Sequence, residues 1–180
     1  MTEILWHGRG GQGAFTAARL LGAAYALRGE NSFSLAFPSF GPERRGAPIR
    51  AFTKLSNTPI GNRSEVEKAD YSIFLDETLF SENAFSELKP NGKILLNTKR
   101  SFEDQRIFTI DGTTLAVEIL KLPITNTIML GAFSAIFDGI QFEDIKKSIL
   151  QYMPLKLQNV NIRVAEEAKA AIRVNREGGL

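Results

Sequence analysis

Residues 8–13 read Gly-Arg-Gly-Gly-Gln-Gly, a G-x-G-x-x-G spacing with a fourth glycine inside it. Glycines at this spacing let a backbone turn sharply and approach a phosphate closely. A helix that starts at the last glycine offers unbonded N–H groups and the positive end of its dipole. Gly8, Arg9, Gly10, Gly11, Gln12 and Gly13 are therefore candidate anion contacts. The same glycines could instead serve only a tight strand-to-helix turn. A second group of interest lies at residues 39–46, Ser-Phe-Gly-Pro-Glu-Arg-Arg-Gly. There Arg44 and Arg45 carry forked donors shaped for phosphate or carboxylate. They could equally bridge to a neighbouring subunit, since interfaces also enrich arginine.

Other chemistry is limited by composition. Cysteine is absent and His7 is the single histidine among 180 residues. A thiolate-held iron–sulfur cluster, a disulfide, a cysteine nucleophile and a multi-histidine metal site are all excluded from this chain. His7 reads as a structural histidine, with no acid close to it in sequence. Asp76 and Glu77 end a strand on the ligand side and read as a polar strand end. Formal net charge is +2, without the basic stripe of a nucleic-acid binder. The charge is uneven: residues 1–63 hold eight Arg or Lys against three acids. No apolar run reaches the roughly 18 residues of a membrane span. The first residues, Met1 to Trp6, lack the features of a signal peptide, so the expected location is the cytoplasm.

The elements needed to position these residues follow from periodicity. Glu3–His7 reads as a buried strand, Ala14–Arg28 as a buried helix stopped by Gly29, and Ser32–Phe37 as a second strand. Ile49–Leu55 alternates and suggests a strand with one exposed face. Tyr71–Leu75, Lys93–Asn97 and Arg106–Ile110 read as further strands. Leu79–Leu88 reads as a helix and Lys89–Gly92 as a turn. Thr114–Leu120, Asn126–Asp138, Phe142–Met153 and Val160–Val174 read as helices. The order implies an α/β fold: a mostly parallel, Rossmann-like sheet with helices on both faces, in a single domain over residues 1–180. A nicotinamide site is incomplete. The dinucleotide pattern needs an acid at the carboxyl end of the second strand, about 20 positions on, where Phe37-Pro38-Ser39 stands, and Glu30 precedes that strand. A stand-alone NAD(P)-binding reductase remains as an alternative reading, as does a purely structural assembly subunit.

Gly8-Arg9-Gly10-Gly11-Gln12-Gly13, the run Ser39-Phe40-Gly41-Pro42-Glu43-Arg44-Arg45-Gly46-Ala47-Pro48 and Asn126-Thr127-Ile128-Met129-Leu130-Gly131-Ala132 together resemble the gamma subunit of 2-oxoacid:ferredoxin oxidoreductases. Ala47-Pro48 is similar to the pyruvate-type branch. The resemblance covers about residues 1–170. It implies a subunit of a heteromeric enzyme that decarboxylates a 2-oxoacid oxidatively to an acyl-CoA. It implies alpha, beta and delta partners that hold thiamine diphosphate and the iron–sulfur clusters, and ferredoxin or flavodoxin as electron acceptor. Coenzyme A would be the co-substrate, with this chain helping to form its site and holding no cofactor alone. Phe37 and Phe40 are the candidate interface aromatics.

Overall fold

A computed structural model describes residues 1–39 and 45–177, with side chains described as far as residue 172. Six strands form one sheet: β1 (Thr2–Arg9), β2 (Phe33–Pro38), β3 (Pro48–Ser56), β4 (Ala69–Phe74), β5 (Leu88–Asn97) and β6 (Ile107–Ile110). Their spatial order is β2-β3-β1-β4-β5-β6. β1, β4, β5 and β6 pair in parallel, while β3 runs antiparallel to both β1 and β2. The expected α/β fold with a mostly parallel sheet is what forms, with β3 as its one reversed strand.

The helices are α1 (Ala14–Ala26), α2 (Gly112–Leu115), α3 (Asn126–Phe133), α4 (Phe142–Tyr152) and α5 (Leu155–Glu177). A single-turn π-helix, Ala116–Leu120, extends α2. One face of the sheet packs Ile4, Trp6, Ile73 and Leu95 against α1, α3, α4 and α5. Each fully buried aliphatic side chain contributes about 1.5–3 kcal/mol. Trp6 is buried without an orphan donor, since its Nε1–H donates to Thr53 Oγ1 at 3.0 Å. α3 is buried at all eight positions and crosses α5 so closely that a Cβ on Gly131 would lie 2.1 Å from the Ala165 carbonyl oxygen.

The opposite face gathers Leu5, Phe52, Phe74, Ile94 and Leu96, and its cover is of a different kind. Instead of the helix expected over residues 79–88, two 3₁₀ turns form, Glu77–Leu79 and Glu82–Glu87. The Asp76 carboxylate starts the first of them by accepting the Thr78 N–H at 2.9 Å. Phe80 and Ser81 between the two turns are extended and break the segment, and Leu88 already belongs to β5.

Two further expectations need correction. β3 has no exposed face over Ala51–Ser56, all of which are buried, because Ala51 and Leu55 pack into the core on one side of the sheet and Phe52 into the core on the other. Lys54 on this strand is fully buried. Its ammonium sits 3.5 Å from Glu3, which also pairs with Lys89 at 3.1 Å, and Lys89 reaches Asp70 at 2.7 Å. That ionic cluster closes the end of the sheet opposite the glycine loop. Residues 89–92 are a bulge within β5 rather than a turn between elements. Ala69 pairs with Leu88 and Tyr71 with Lys93, so the intervening residues loop out. Among the described residues no helix is long and apolar enough to cross a membrane.

Candidate functional site

Residues 8–13 lie at the carboxyl end of β1, where open α/β sheets bind ligands. Gly11 and Gly13 have φ of +97° and +82°, a left-handed conformation that costs other residues about 1–2 kcal/mol. The two are needed for different reasons. A Cβ on Gly13 would come within 2.4 Å of Asn126 Nδ2, whereas nothing lies within 4 Å of one on Gly11. Gly13 is a packing glycine pressed by the start of α3. Gly11 faces open space. Gly8 is close to Ala14, at 3.1 Å for a built Cβ.

Gly10 is joined to the second motif. Its N–H donates to the Ala47 carbonyl at 2.9 Å, and its own carbonyl accepts from Gly46 N–H at 3.1 Å. Gly10 and Arg45 form an isolated parallel bridge. The structure thus brings Arg45, exposed to solvent, beside the glycine loop as the motifs require. Arg44 and Phe40 lie outside the described residues. Phe37 is half-buried and packs on Phe52, ring centroids 5.1 Å apart.

Arg9 and Gln12 do not project freely toward a ligand. Arg9 Nε–H donates to Asp76 Oδ2 at 3.0 Å, with further bonds to Thr78 Oγ1 at 2.8 Å and the Gly46 carbonyl at 3.1 Å. Gln12 Oε1 accepts the Arg9 N–H at 2.7 Å while its amide donates to Asp76 Oδ2 at 3.2 Å. Both side chains brace the loop from inside. Burial pushes the Asp76 carboxyl up, but hydrogen bonds from Thr78, Gln12 and Arg9 outweigh it and hold the group below its usual range. Asp76 is therefore a structural anion at the loop's base, a role its sequence context did not reveal. The donor nearest in chain is two residues away and the others lie more than sixty away.

The neighbouring strand ends are tied by an asparagine and carry the charged groups Glu77, Lys99 and Asp111. The Leu75 carbonyl accepts from Asn97 Nδ2 at 2.9 Å, and Asn97 Oδ1 accepts the Gly112 N–H at 2.9 Å. Asn97 so ties the ends of β4, β5 and β6 together. Helix α1 starts at Gly13 with no side-chain cap, leaving first-turn N–H groups to face the loop. His7 points to the second sheet face. Its ring stacks on Phe74 at 4.2 Å, and Nε2 lies 3.1 Å from Glu87 Oε2 without the alignment of a hydrogen bond. Proximity to His7 is the main influence holding Glu87 below the usual carboxylate range, with burial opposing it and Arg50 assisting.

The strand order also bears on nucleotide binding. A dinucleotide fold sets its second strand directly beside the first, so that the terminal acid of that strand meets the ribose. Here β3 separates β1 from β2, and Glu30 is exposed before β2 begins. The ribose-binding position is not built.

Comparison with known proteins decides the family. Residues 3–171 match the pyruvate ferredoxin/flavodoxin oxidoreductase family model. The chain belongs to that family. The pyruvate synthase subunit PorC of Methanothermobacter marburgensis is 44% identical over 182 residues, covering 99% of this chain and 100% of the relative. The common gamma subunit of the pyruvate/ketoisovalerate oxidoreductases of Pyrococcus furiosus is 39% identical, covering 93% and 95%. The crystal structure of the pyruvate oxidoreductase subunit PORC of Thermotoga maritima superposes with a TM-score of 0.81 at 33% identity, over 94% of this chain and 96% of that one. The chain is a gamma-type subunit of a pyruvate/2-oxoacid:ferredoxin oxidoreductase complex.

Proposed function

We propose that residues 1–180 act as one gamma-type domain that forms part of the coenzyme A site and helps to assemble the complex. The alpha, beta and delta chains would hold thiamine diphosphate and the iron–sulfur clusters and pass electrons to ferredoxin or flavodoxin. Pyruvate is the 2-oxoacid favoured by the PorC relatives. The carrying observation is Gly11: its left-handed backbone opens into free space beside the uncapped start of α1. A phosphate there meets backbone N–H groups and the helix dipole, and Arg45 is anchored alongside through Gly10. When bound, coenzyme A supplies the thiol that takes the acyl group. This chain's share is to bind and orient. Within the loop, Gly11, Arg45 and Arg44 are the contact candidates. Gly8, Gly10 and Gly13 shape the turn, while Arg9 and Gln12 hold it to Asp76.

The assembled complex carrying Gly11→Asn, Arg44→Ala or Arg45→Ala tests this. Asparagine tolerates the left-handed region yet fills the opening. One charge-assisted contact contributes about 1.5–3 kcal/mol, so the coenzyme A KM should rise roughly tenfold or more with the pyruvate KM little changed. Wild-type coenzyme A kinetics in all three variants, with the complex intact, would reject the site. That result would favour the second reading, a loop that serves assembly alone, to which the internal engagement of Arg9, Gln12, Gly10 and Gly13 lends support. The purified chain alone should not turn over pyruvate with a dye acceptor.

A further inference from the structure

The two edges of the sheet are finished differently. β6 has four residues, is led in by the charged pair Asp104–Arg106, and packs on α5. Short length, charge and cover are the ordinary means of keeping an edge from pairing with another chain. β2 differs in length and charge, although α1 packs on its face as α5 does on β6. It is six residues long and pairs only with β3 among the described residues. Residues 31–42 contain no charged side chain. All six β2 residues are half-buried, and on the side away from β3 the strand offers an uncharged row of backbone N–H and C=O groups, interrupted only at Pro38, which has no N–H.

A pocket adjoins this edge. It has a volume of about 240 Å³ and lies between α1, β2 and the end of α4, with Gly22, Ala23, Ala36, Tyr152 and Met153 in its lining. Small-molecule sites usually occupy about 300–1,000 Å³, so this one suits a single large side chain better than a free ligand. Arg19 stands at its rim and is exposed. Its guanidinium lies 5.8 Å from the Phe15 ring centroid, and among the described residues no carboxylate pairs with it.

We propose that β2 is a docking edge for an extended segment of a partner subunit of the complex. That segment adds a seventh strand through main-chain hydrogen bonds, inserts one large apolar side chain into the α1–β2–α4 pocket, and sets a carboxylate against Arg19. A second copy of this chain is the poorer occupant. Its own edge strand, Phe33–Pro38, holds no carboxylate to set against Arg19, the nearest being Glu30 before the strand. The proposal rests on the chain being a subunit, not on its coenzyme A role.

Hydrogen–deuterium exchange on the isolated chain and on the assembled complex tests it. Amides of Phe33–Phe37 that face outward should exchange at least tenfold more slowly after assembly. Two surface variants on α1, Arg19→Glu and Ala23→Arg, should melt like wild type when isolated and bind the partner chains at least tenfold more weakly. Unchanged exchange at Phe33–Phe37 on assembly would overturn the proposal. So would protection already present in an isolated chain that runs as a dimer by native mass spectrometry, which would assign the edge to a second copy. Wild-type assembly by both variants would remove the pocket and Arg19 from the interface. None of these readouts involves coenzyme A, so failure here leaves the loop assignment standing.

Discussion

Replacing Gly13 by alanine should cost far more than the same change at Gly11, although both glycines share the left-handed backbone. At Gly11 the cost is conformational alone, about 1–2 kcal/mol, because the new methyl meets nothing within 4 Å. At Gly13 the methyl meets Asn126 Nδ2 at 2.4 Å and Asn126 Cγ at 3.2 Å. Asn126 is buried, and its Oδ1 accepts the Thr127 N–H at 2.8 Å. Moving it sacrifices a hydrogen bond contributing about 1 kcal/mol, and the overpacking of the first turn of α3 adds about 1 kcal/mol more. The total for Gly13→Ala is about 3–4 kcal/mol. For a chain of this size each kcal/mol lowers Tm by about 2–4 °C. Thermal melts followed by circular dichroism should therefore fall by about 6–16 °C for Gly13→Ala and about 2–8 °C for Gly11→Ala. Adding Asn126→Ala should recover part of the Gly13→Ala loss, a non-additivity expected only of residues in contact. Equal Tm shifts for the two glycine variants, or strict additivity with Asn126→Ala, would refute the packing argument.

Two more predictions concern charge. Asp76 has a folded pKa below its unfolded value, so its stabilisation is present above the ordinary Asp range and is lost as pH falls through the depressed value. Asp76→Asn should lower stability at pH 7 and flatten the acid limb of a denaturant titration; parallel pH profiles for variant and wild type would contradict this. At the far end of the sheet, Lys54→Met should change stability by only about 1 kcal/mol, since Glu3 keeps Lys89 and an apolar replacement often balances a buried pair. Glu3→Gln removes the carboxylate from a fully buried ammonium and should cost about 3 kcal/mol or more, measured by urea unfolding. The reverse ranking would mean that Lys54 is neutral in the fold.

What could be read from the sequence was mostly local. The strand–glycine loop–helix unit is announced by residues adjacent in the chain, and β1, α1, β2, β4, β6 and α4 form close to where periodicity puts them. Readings failed where a distant segment decides. Alternation at Ile49–Leu55 suggested one wet face, but core layers cover both faces of β3 and even Lys54 is buried. Lys89-Pro90-Asn91-Gly92 has turn chemistry, and its pairing with β4 turns it into a bulge. Within the candidate site, the glycines and Arg45 were legible from type and spacing. The occupation of Arg9 and Gln12 by Asp76 was not, because it spans 67 and 64 positions. The acid facing His7 was hidden likewise, 80 positions away at Glu87.

The way the glycine loop is held bears on whether it can be transplanted. Its contour is fixed by Ala47 and Gly46 through Gly10, by Asp76 through Arg9 and Gln12, and by Asn126 against Gly13. A designer who moved residues 2–26 into another α/β scaffold would carry every residue of the motif and none of those four supports. The graft would keep the string of glycines and lose the shape. A transferable module has to include the start of β3, the end of β4 and the head of α3, which is most of the carboxyl end of the sheet.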